Sequence, residues 1–191
     1  MTFQPMKIDG AWVHIPTRLQ DSRGHFEEQF KLSLIQRELG RSFPVLQVNQ
    51  SYSNKGVVRG IHWTDSEVGQ AKYVSCPKGA IWDVVVDLRP NSATFGTWDA
   101  YLLNEQNGAS IFISEGLGHA FLAVEDGTVA NYLCSSEYQP TSDRTINPLD
   151  ETLDIEFESM AKQLGIDRLL FSEKDRNAEG FIQNLGETRR G

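Results

Sequence analysis

From residue 46 to residue 135 the chain is cut into short apolar segments by turn residues at nearly even intervals. Ser53-Asn54-Lys55-Gly56, Pro77-Lys78-Gly79, Arg89-Pro90-Asn91-Ser92, Glu105-Gln106-Asn107-Gly108 and Glu125-Asp126-Gly127 each carry the Gly, Asn, Asp or Pro that a tight reversal needs. The segments between them are short, and their β-branched and aromatic content suits strands. Strands are expected at 12–15, 26–30, 46–53, 57–63, 71–76, 80–88, 97–103, 110–113, 119–124 and 129–135. Evenly spaced short strands suggest an antiparallel sandwich or barrel, and the jelly roll is the common double-sheet form. The expected fold is mainly all-β, a jelly roll with short peripheral helices. Leu32, Ile35 and Leu39 recur at helical spacing, and Gly40 follows as a stop. Beyond Phe157 the strand pattern ceases, and 159–164 and 178–185 read as short helices. With 191 residues the chain is expected to form one domain, 1–191, with a β body to about 157 and a C-terminal appendage over 158–191. The tail from 187 to 191 is expected to fray.

Composition removes several classes of function. Asp plus Glu (26) outnumber Lys plus Arg (18), for a net charge of −8. That balance argues against an extended nucleic-acid or anionic-membrane face, while a small basic pocket remains compatible with it. No apolar run approaches the length that spans a bilayer. The opening MTFQPMKIDG lacks the apolar centre of a secretion signal, so a cytoplasmic location is expected. Cys76 and Cys134 are too few for a disulfide framework and too far apart for a CxxC motif. They read as buried free thiols.

Four histidines are present, at 14, 25, 62 and 119. His62 lies in Val57-Val58-Arg59-Gly60-Ile61-His62-Trp63, where simple alternation places Arg59, Ile61 and Trp63 on one face and Val58, Gly60 and His62 on the other. His119 lies in Ser114-Glu115-Gly116-Leu117-Gly118-His119-Ala120-Phe121. A lone histidine is commonly a hydrogen-bonded core residue. The Gly-x-x-His spacing at 116–119 matches one element of metal-binding jelly rolls, but Gly60-Ile61-His62-Trp63-Thr64 offers no second histidine two residues from the first. Two histidines without a nearby carboxylate are a poor first shell, so no metal is expected.

A histidine without a metal is suited to moving protons near neutral pH if a carboxylate orients it. Asp83, unusual in the middle of a strand, and Asp175 are the candidates, and Ser172-x-x-Asp175 also has the spacing of a helix cap. Arg23, Arg59, Lys72, Lys174, Phe26, Tyr132 and Tyr138 add cations and aromatics. Lys72 and Arg59 sit within apolar strand segments, where an inward charge is costly unless a partner or an anionic ligand meets it. Inward cations in an acidic protein suggest a phosphate-bearing substrate. Alternation from Val129 puts Ala130, Tyr132 and Cys134 on one face.

Taken together, these motifs resemble a known family. Asp21-Ser22-Arg23-Gly24-His25-Phe26, Gln47-Val48-Asn49-Gln50-Ser51, Val58-Arg59-Gly60-Ile61-His62-Trp63, Gln70-Ala71-Lys72 and Asp83-Val84-Val85-Val86-Asp87-Leu88-Arg89 resemble motifs of the dTDP-4-dehydrorhamnose 3,5-epimerases. Ser92-Ala93-Thr94-Phe95-Gly96, Ser114-Glu115-Gly116-Leu117-Gly118-His119-Ala120-Phe121, Tyr132-Leu133-Cys134-Ser135-Ser136-Glu137-Tyr138 and Ser172-Glu173-Lys174-Asp175 continue the series, most like actinobacterial members. The resemblance implies a cupin-type double-stranded β-helix, a homodimer and no cofactor. It implies His62 as base, Asp175 as its orienting partner and Tyr132 as acid, with Lys72 near the reacting sugar. Arg23, Phe26, Glu28, Gln47, Asn49, Arg59, Lys72, His119, Tyr138, Asp143 and Lys174 would bind the nucleotide sugar.

The implied chemistry suits these residue types. A 4-keto group acidifies the protons on carbons 3 and 5 of the sugar. One base removes a proton, and the enolate needs a donor such as Lys72. Protonation from the opposite face then inverts the carbon. A phenol with pKa ~10 holds its proton at neutral pH and is a competent acid toward a carbanion. Three functions fit: an epimerase acting at both carbons, a monoepimerase of a related keto sugar, and a sugar-nucleotide-binding cupin without catalysis. The intact set His62, Asp175, Lys72 and Tyr132 speaks against the third.

Overall fold

The computed structural model describes residues 2–66 and 69–183. Its strands in chain order are β1 (Thr2–Pro5), β2 (Ala11–Ile15), β3 (Arg18–Asp21), β4 (Gly24–Glu27), β5 (Gln47–Ser53), β6 (Val58–Thr64), β7 (Lys72–Lys78), β8 (Ala80–Asp87), β9 (Trp98–Asn104), β10 (Ser110–Ile113), β11 (Leu117–Ala123), β12 (Thr128–Cys134) and β13 (Asp143–Thr145). Three short helices accompany them, α1 (Leu32–Leu39), α2 (Phe157–Gln163) and α3 (Glu173–Arg176).

The strands form a sheet of order β1-β2-β10-β7-β12-β5 and a second of order β13-β6-β11-β8-β9, with β3 and β4 paired apart from both. Every ladder is antiparallel. The inner faces of the two sheets meet in a core of Val13, Val74, Ile111 and Ala130 from the first and Ile81, Val85, Leu103 and Phe121 from the second. This is the mainly-β, two-sheet architecture expected of a jelly roll.

A second core lies on the outer face of the five-stranded sheet. Val58, Ile61, Trp63, Trp82, Val84 and Val86 pack there against Phe157, Ala161, Ile166 and Phe181 of the C-terminal segment. Strand β8 is consequently apolar on both sides, and all of Ala80–Asp87 is buried. Burial on both faces is why its sequence is largely apolar rather than alternating, with Asp83 the one interruption before Asp87. Each large side chain placed there contributes roughly 1.5–3 kcal/mol. A third cluster sits on the outside of the six-stranded sheet, where Ile35 of α1 and Phe43 cover Tyr73 and Phe112. Helix α1 ends at Gly40, whose φ of 64° is open to glycine and whose N–H donates to the Gln36 carbonyl.

Several boundaries differ from the sequence expectation. The strand expected at 26–30 is β4, which ends at Glu27, because the next residues turn inward. The Gln29 carbonyl accepts from the Tyr73 hydroxyl at 2.6 Å, and its side chain reaches the Gly108 carbonyl. Strands β1, β3 and β13 were not expected, since TFQP, RLQD and DRT carry no apolar alternation. They pair with β2, β4 and β6, and side chains support them, with Phe3 stacked on His14, Arg18 paired with Glu27 and Asp143 with Lys174. The helix expected over 178–185 is helical at 181–183, where the Phe181 N–H donates to the Asp150 carboxylate. Positions 184 and 185 of that helix and the tail 187–191 lie outside the described residues. No helix among the described residues is long and apolar enough to cross a membrane.

Candidate active site

At one end of the sandwich the sheets part to leave a cleft of about 380 Å³. Asn49 and Ser51 of β5, Lys72 of β7, and Tyr132 and Cys134 of β12 line it from the six-stranded sheet. Arg59 and His62 of β6, His119 and Phe121 of β11 and Asp143 of β13 line it from the other, with Lys174 of α3 at the rim. The first set follows from strand alternation and register. Gln47, Asn49 and Ser51 sit opposite Cys134, Tyr132 and Ala130, so all six share one face.

The second set does not follow from alternation. Arg59 and His62 are expected on opposite faces, yet both line the cleft. The β6–β11 register explains this. His119 pairs with His62 and Phe121 with Arg59, so three steps along β6 are matched to two along β11. The extra residue is a bulge, which resets the facing of the side chains that follow. Gly60 occupies it with φ of 109°, and a Cβ there would fall on the His119 carbonyl oxygen and 2.8 Å from Ala120 Cα. Only glycine allows the two strands to approach so closely. Ile61 and Trp63 are thereby turned into the outer core.

The bulge aims His62 at α3. His62 Nε2 lies 2.7 Å from Asp175 Oδ1, with the Asp175 side chain 5 % exposed and the His62 side chain 36 % exposed. Both readings of Asp175 hold at once. Its N–H donates to Ser172 Oγ at 3.0 Å and starts α3, while its carboxylate meets the imidazole. Burial pushes the Asp175 carboxyl up, but hydrogen bonds from His62, Ser172 and the Gly60 N–H outweigh it and hold the group below the usual range. Asp83, the other carboxylate considered for His62, belongs to a different pair. Its Oδ2 lies 2.8 Å from His119 Nε2. Each histidine therefore has its own carboxylate, and no three His, Cys, Asp or Glu among the described residues converge as a metal site would require.

Tyr132 hydroxyl and Ser51 Oγ are 3.0 Å apart, and the Tyr132 ring stands edge-on to His119 with centroids 5.8 Å apart. Burial pushes the phenol above its ordinary range, so it holds its proton throughout the neutral region. Lys72 Nζ is 3.5 Å from the His62 carbonyl oxygen. Asp143 receives Lys174 Nζ at 2.8 Å. Tyr138, 55 % exposed, lies over the mouth, and its N–H donates to Gln47 Oε1 at 2.7 Å. Gln47 in turn donates to Asn49. Gln47 is therefore behind the lining, reaching it only through Asn49 and Tyr138, and Arg23, Phe26 and Glu28 do not line the cleft of their own chain. Arg23 pairs with Asp21, Glu28 pairs with Lys31, and Phe26 is exposed on the β3–β4 hairpin. Gln50, Ser51, Gln70, Phe121 and Cys134 line the cleft without being among the expected site residues. For Ser51, Phe121 and Cys134 the signal was present, since each lies two residues from a chosen position on the same strand.

The sequence model of the dTDP-4-dehydrorhamnose 3,5-epimerases matches residues 5–183. The chain belongs to that family. An enzyme of that name from Mycolicibacterium smegmatis is 47 % identical over 150 residues, covering 78 % of this chain and 75 % of the relative. The solved structure of a Mycobacterium tuberculosis epimerase superposes with a TM-score of 0.91 at 38 % identity, over 100 % of this chain and 97 % of that one. A 3'-monoepimerase from Streptomyces bikiniensis in complex with dTDP-quinovose superposes with a TM-score of 0.87 at 40 % identity, over 95 % and 90 %. The protein is thus an isomerase, a dTDP-4-keto-6-deoxyhexose epimerase on the cupin fold of its family. The cleft at the sheet mouth is where the family resemblance and the convergence of titratable side chains coincide.

Proposed function

We propose that the chain inverts carbons 3 and 5 of dTDP-4-dehydro-6-deoxy-D-glucose, giving dTDP-4-dehydro-L-rhamnose without a cofactor. The observation that carries this reading is the His62–Asp175 pair opening onto a cleft that also holds Lys72 and a protonated Tyr132. With Nε2 engaged by Asp175, Nδ1 of His62 is the nitrogen left to accept the proton α to the keto group. The ionised Asp175 stabilises the imidazolium that results. Lys72 donates to the enolate oxygen, and Tyr132 returns a proton from the opposite face. Arg59 and Lys174 are the cations for the diphosphate, and Tyr138 offers its ring to the base.

Arg23, Phe26 and Glu28 enter this reading through a homodimer, in which the hairpin of one protomer serves the cleft of its partner. A nucleotide-sugar substrate also accords with a cytoplasmic enzyme. Since the two histidines are each committed to a carboxylate, chelation with EDTA leaves turnover unchanged; loss of activity restored by zinc or iron contradicts the assignment.

A second reading, epimerisation at carbon 3 alone, is supported by the likeness to the Streptomyces bikiniensis monoepimerase. The same base, donor and acid serve either reaction. Proton NMR of the 4-keto sugar in deuterium oxide separates them. Deuterium and inversion at both carbons support the proposal, inversion at one supports the second reading, and no exchange at either rejects both.

A further inference from the structure

Tyr132 crosses its strand pair on the diagonal. Its direct partner in β5 is Asn49, while Ser51 stands opposite Ala130. The Tyr132 hydroxyl nonetheless meets Ser51 Oγ at 3.0 Å. Ala130 presents only a methyl group opposite Ser51, so the diagonal is open, and a side chain as long as tyrosine spans it. Ser51 Oγ is the hydrogen-bond partner of the phenol among the described residues, and Tyr132 is the partner of Ser51. The next hydroxyl along the same face of β5, Ser53 Oγ, is the one that accepts from Arg59 Nε, at 3.1 Å. The Tyr132 ring itself packs against rings, His119 edge-on with centroids 5.8 Å apart and Phe121 at 6.5 Å. A phenolate formed here has one hydroxyl to turn to.

We propose that Ser51 is a positioning residue for the acid of the reaction, its hydroxyl donating to the Tyr132 oxygen and holding the phenolate that forms when Tyr132 protonates the sugar carbon. The proposal rests on the enolate chemistry assigned to the cleft above. In that step the phenolic O–H bond breaks and its electron pair stays on the phenolate oxygen. The enolate electrons form the new C–H bond, and the 4-keto group returns. Water restores the phenolic proton once the product leaves. Before the step either hydroxyl can donate to the other. After it, only Ser51 has a proton to give. With Ser51 as donor from the start, the phenolic proton is free to face the sugar, and nothing has to reorient when charge develops. The bond turns from neutral to charge-assisted as the proton departs, and bonds of that kind are roughly twice as strong. Its worth rises in the transition state, which is where an interaction accelerates the reaction. Burial pushes the phenol up and so opposes proton loss, and the Ser51 hydrogen bond pulls it back.

Ser51→Ala removes the donor and keeps the strand. With the 4-keto sugar in deuterium oxide, inversion at the carbon that Tyr132 protonates, expected to be carbon 5, falls roughly 10- to 100-fold, the scale of a hydrogen bond to a charged group. Where the parent inverts carbon 3 alone, the same comparison is made there. His62 still takes the proton, so deuterium still enters the sugar, and KM stays within about threefold because the Ser51 hydroxyl is engaged with Tyr132. Ser51→Thr keeps a hydroxyl and returns most of the inversion; a threonine variant as slow as the alanine one overturns the proposal. In a Tyr132→Phe background Ser51→Ala costs nothing further, because two residues acting through one bond are not additive. A further loss there puts Ser51 on the substrate directly and overturns the positioning role. Exchange and inversion that fall together, with a lower melting temperature, mark a structural residue and overturn it as well. A parent that exchanges no sugar proton brings down the functional reading and the proposal with it. A parent that inverts carbon, matched in rate by Ser51→Ala, brings down the proposal alone.

Discussion

The reacting groups divide into those that exchange protons and those that hold them in place, and single atoms separate the two. His62→Asn removes the imidazole while keeping the side chain polar and smaller. Exchange of the carbon 3 and carbon 5 protons should fall by at least ~10²–10⁴-fold, the typical cost of a lost general base. Asp175→Asn leaves the imidazole present but without its anion, so a smaller loss in the same direction is expected; unchanged exchange in the His62 variant removes it as the base. Tyr132→Phe deletes one hydroxyl, whose recorded partner is Ser51 Oγ. The fold and the affinity for the nucleotide sugar should persist, because the ring still packs against His119 and Phe121. His62 still takes protons, so deuterium still enters the sugar. Inversion at one centre, expected to be carbon 5, should fall sharply. A variant that inverts both centres at the parent rate reduces Tyr132 to packing, and one that unfolds makes its hydroxyl a core anchor.

At the level of strands and turns, the loop after β8 rests on one carboxylate. Asp87 accepts from Arg89 at 2.8 Å, from Ser92 at 2.5 Å and from Thr94 at 2.6 Å. Burial pushes its carboxyl up, but these donors prevail and lower it to about 2. A carboxyl held below its unfolded value stabilises the fold above the unfolded pKa of 3.8 and loses that contribution as pH falls toward 2. The difference amounts to about 2 kcal/mol at neutral pH. Asp87→Asn should lower the melting temperature at pH 7, and the gap to the parent should close between about pH 4 and pH 2; a gap that stays constant assigns the loss to packing. Strand identity was readable along the sequence from β-branched and aromatic content between turn signals, as in β5 and β12. It was also readable in β8, where an apolar run interrupted only by Asp83 accompanies burial on both sides. Facing was misread in β6, because alternation assumes an unbulged ladder and Gly60 inserts one residue against β11. The His62–Asp175 partnership joins positions 113 apart, and periodicity carries no information about such a contact. The chemistry alone left Asp83 and Asp175 equivalent, and only the resemblance favoured Asp175.

For the molecule as a whole, the exposed apolar surface has a pattern. Leu19 and Phe26 are 63 % and 65 % exposed and sit directly opposite each other on the β3–β4 hairpin. The hairpin belongs to neither sheet, and two paired strands alone are marginal in water. Near this hairpin β5 is an edge strand, with Val48 and Tyr52 more than 60 % exposed. Beside it runs a groove of about 610 Å³ lined by Phe30, Val48, Tyr73 and Leu133. An open edge and an unpartnered apolar hairpin on one chain are surfaces that a second copy can cover. Arg23 and Glu28 flank Phe26 on this same hairpin segment, away from their own cleft, which is where binding residues belong if they act in the partner. Light scattering should find a dimer at micromolar concentration. Placing a charge on the hairpin, as in Phe26→Asp, should shift the population toward monomer without melting the two-sheet core, because Phe26 contributes nothing to that core. Activity should fall with the dimer fraction and recover as protein concentration rises. A strictly monomeric parent with full activity contradicts the assembly and returns Arg23, Phe26 and Glu28 to the surface.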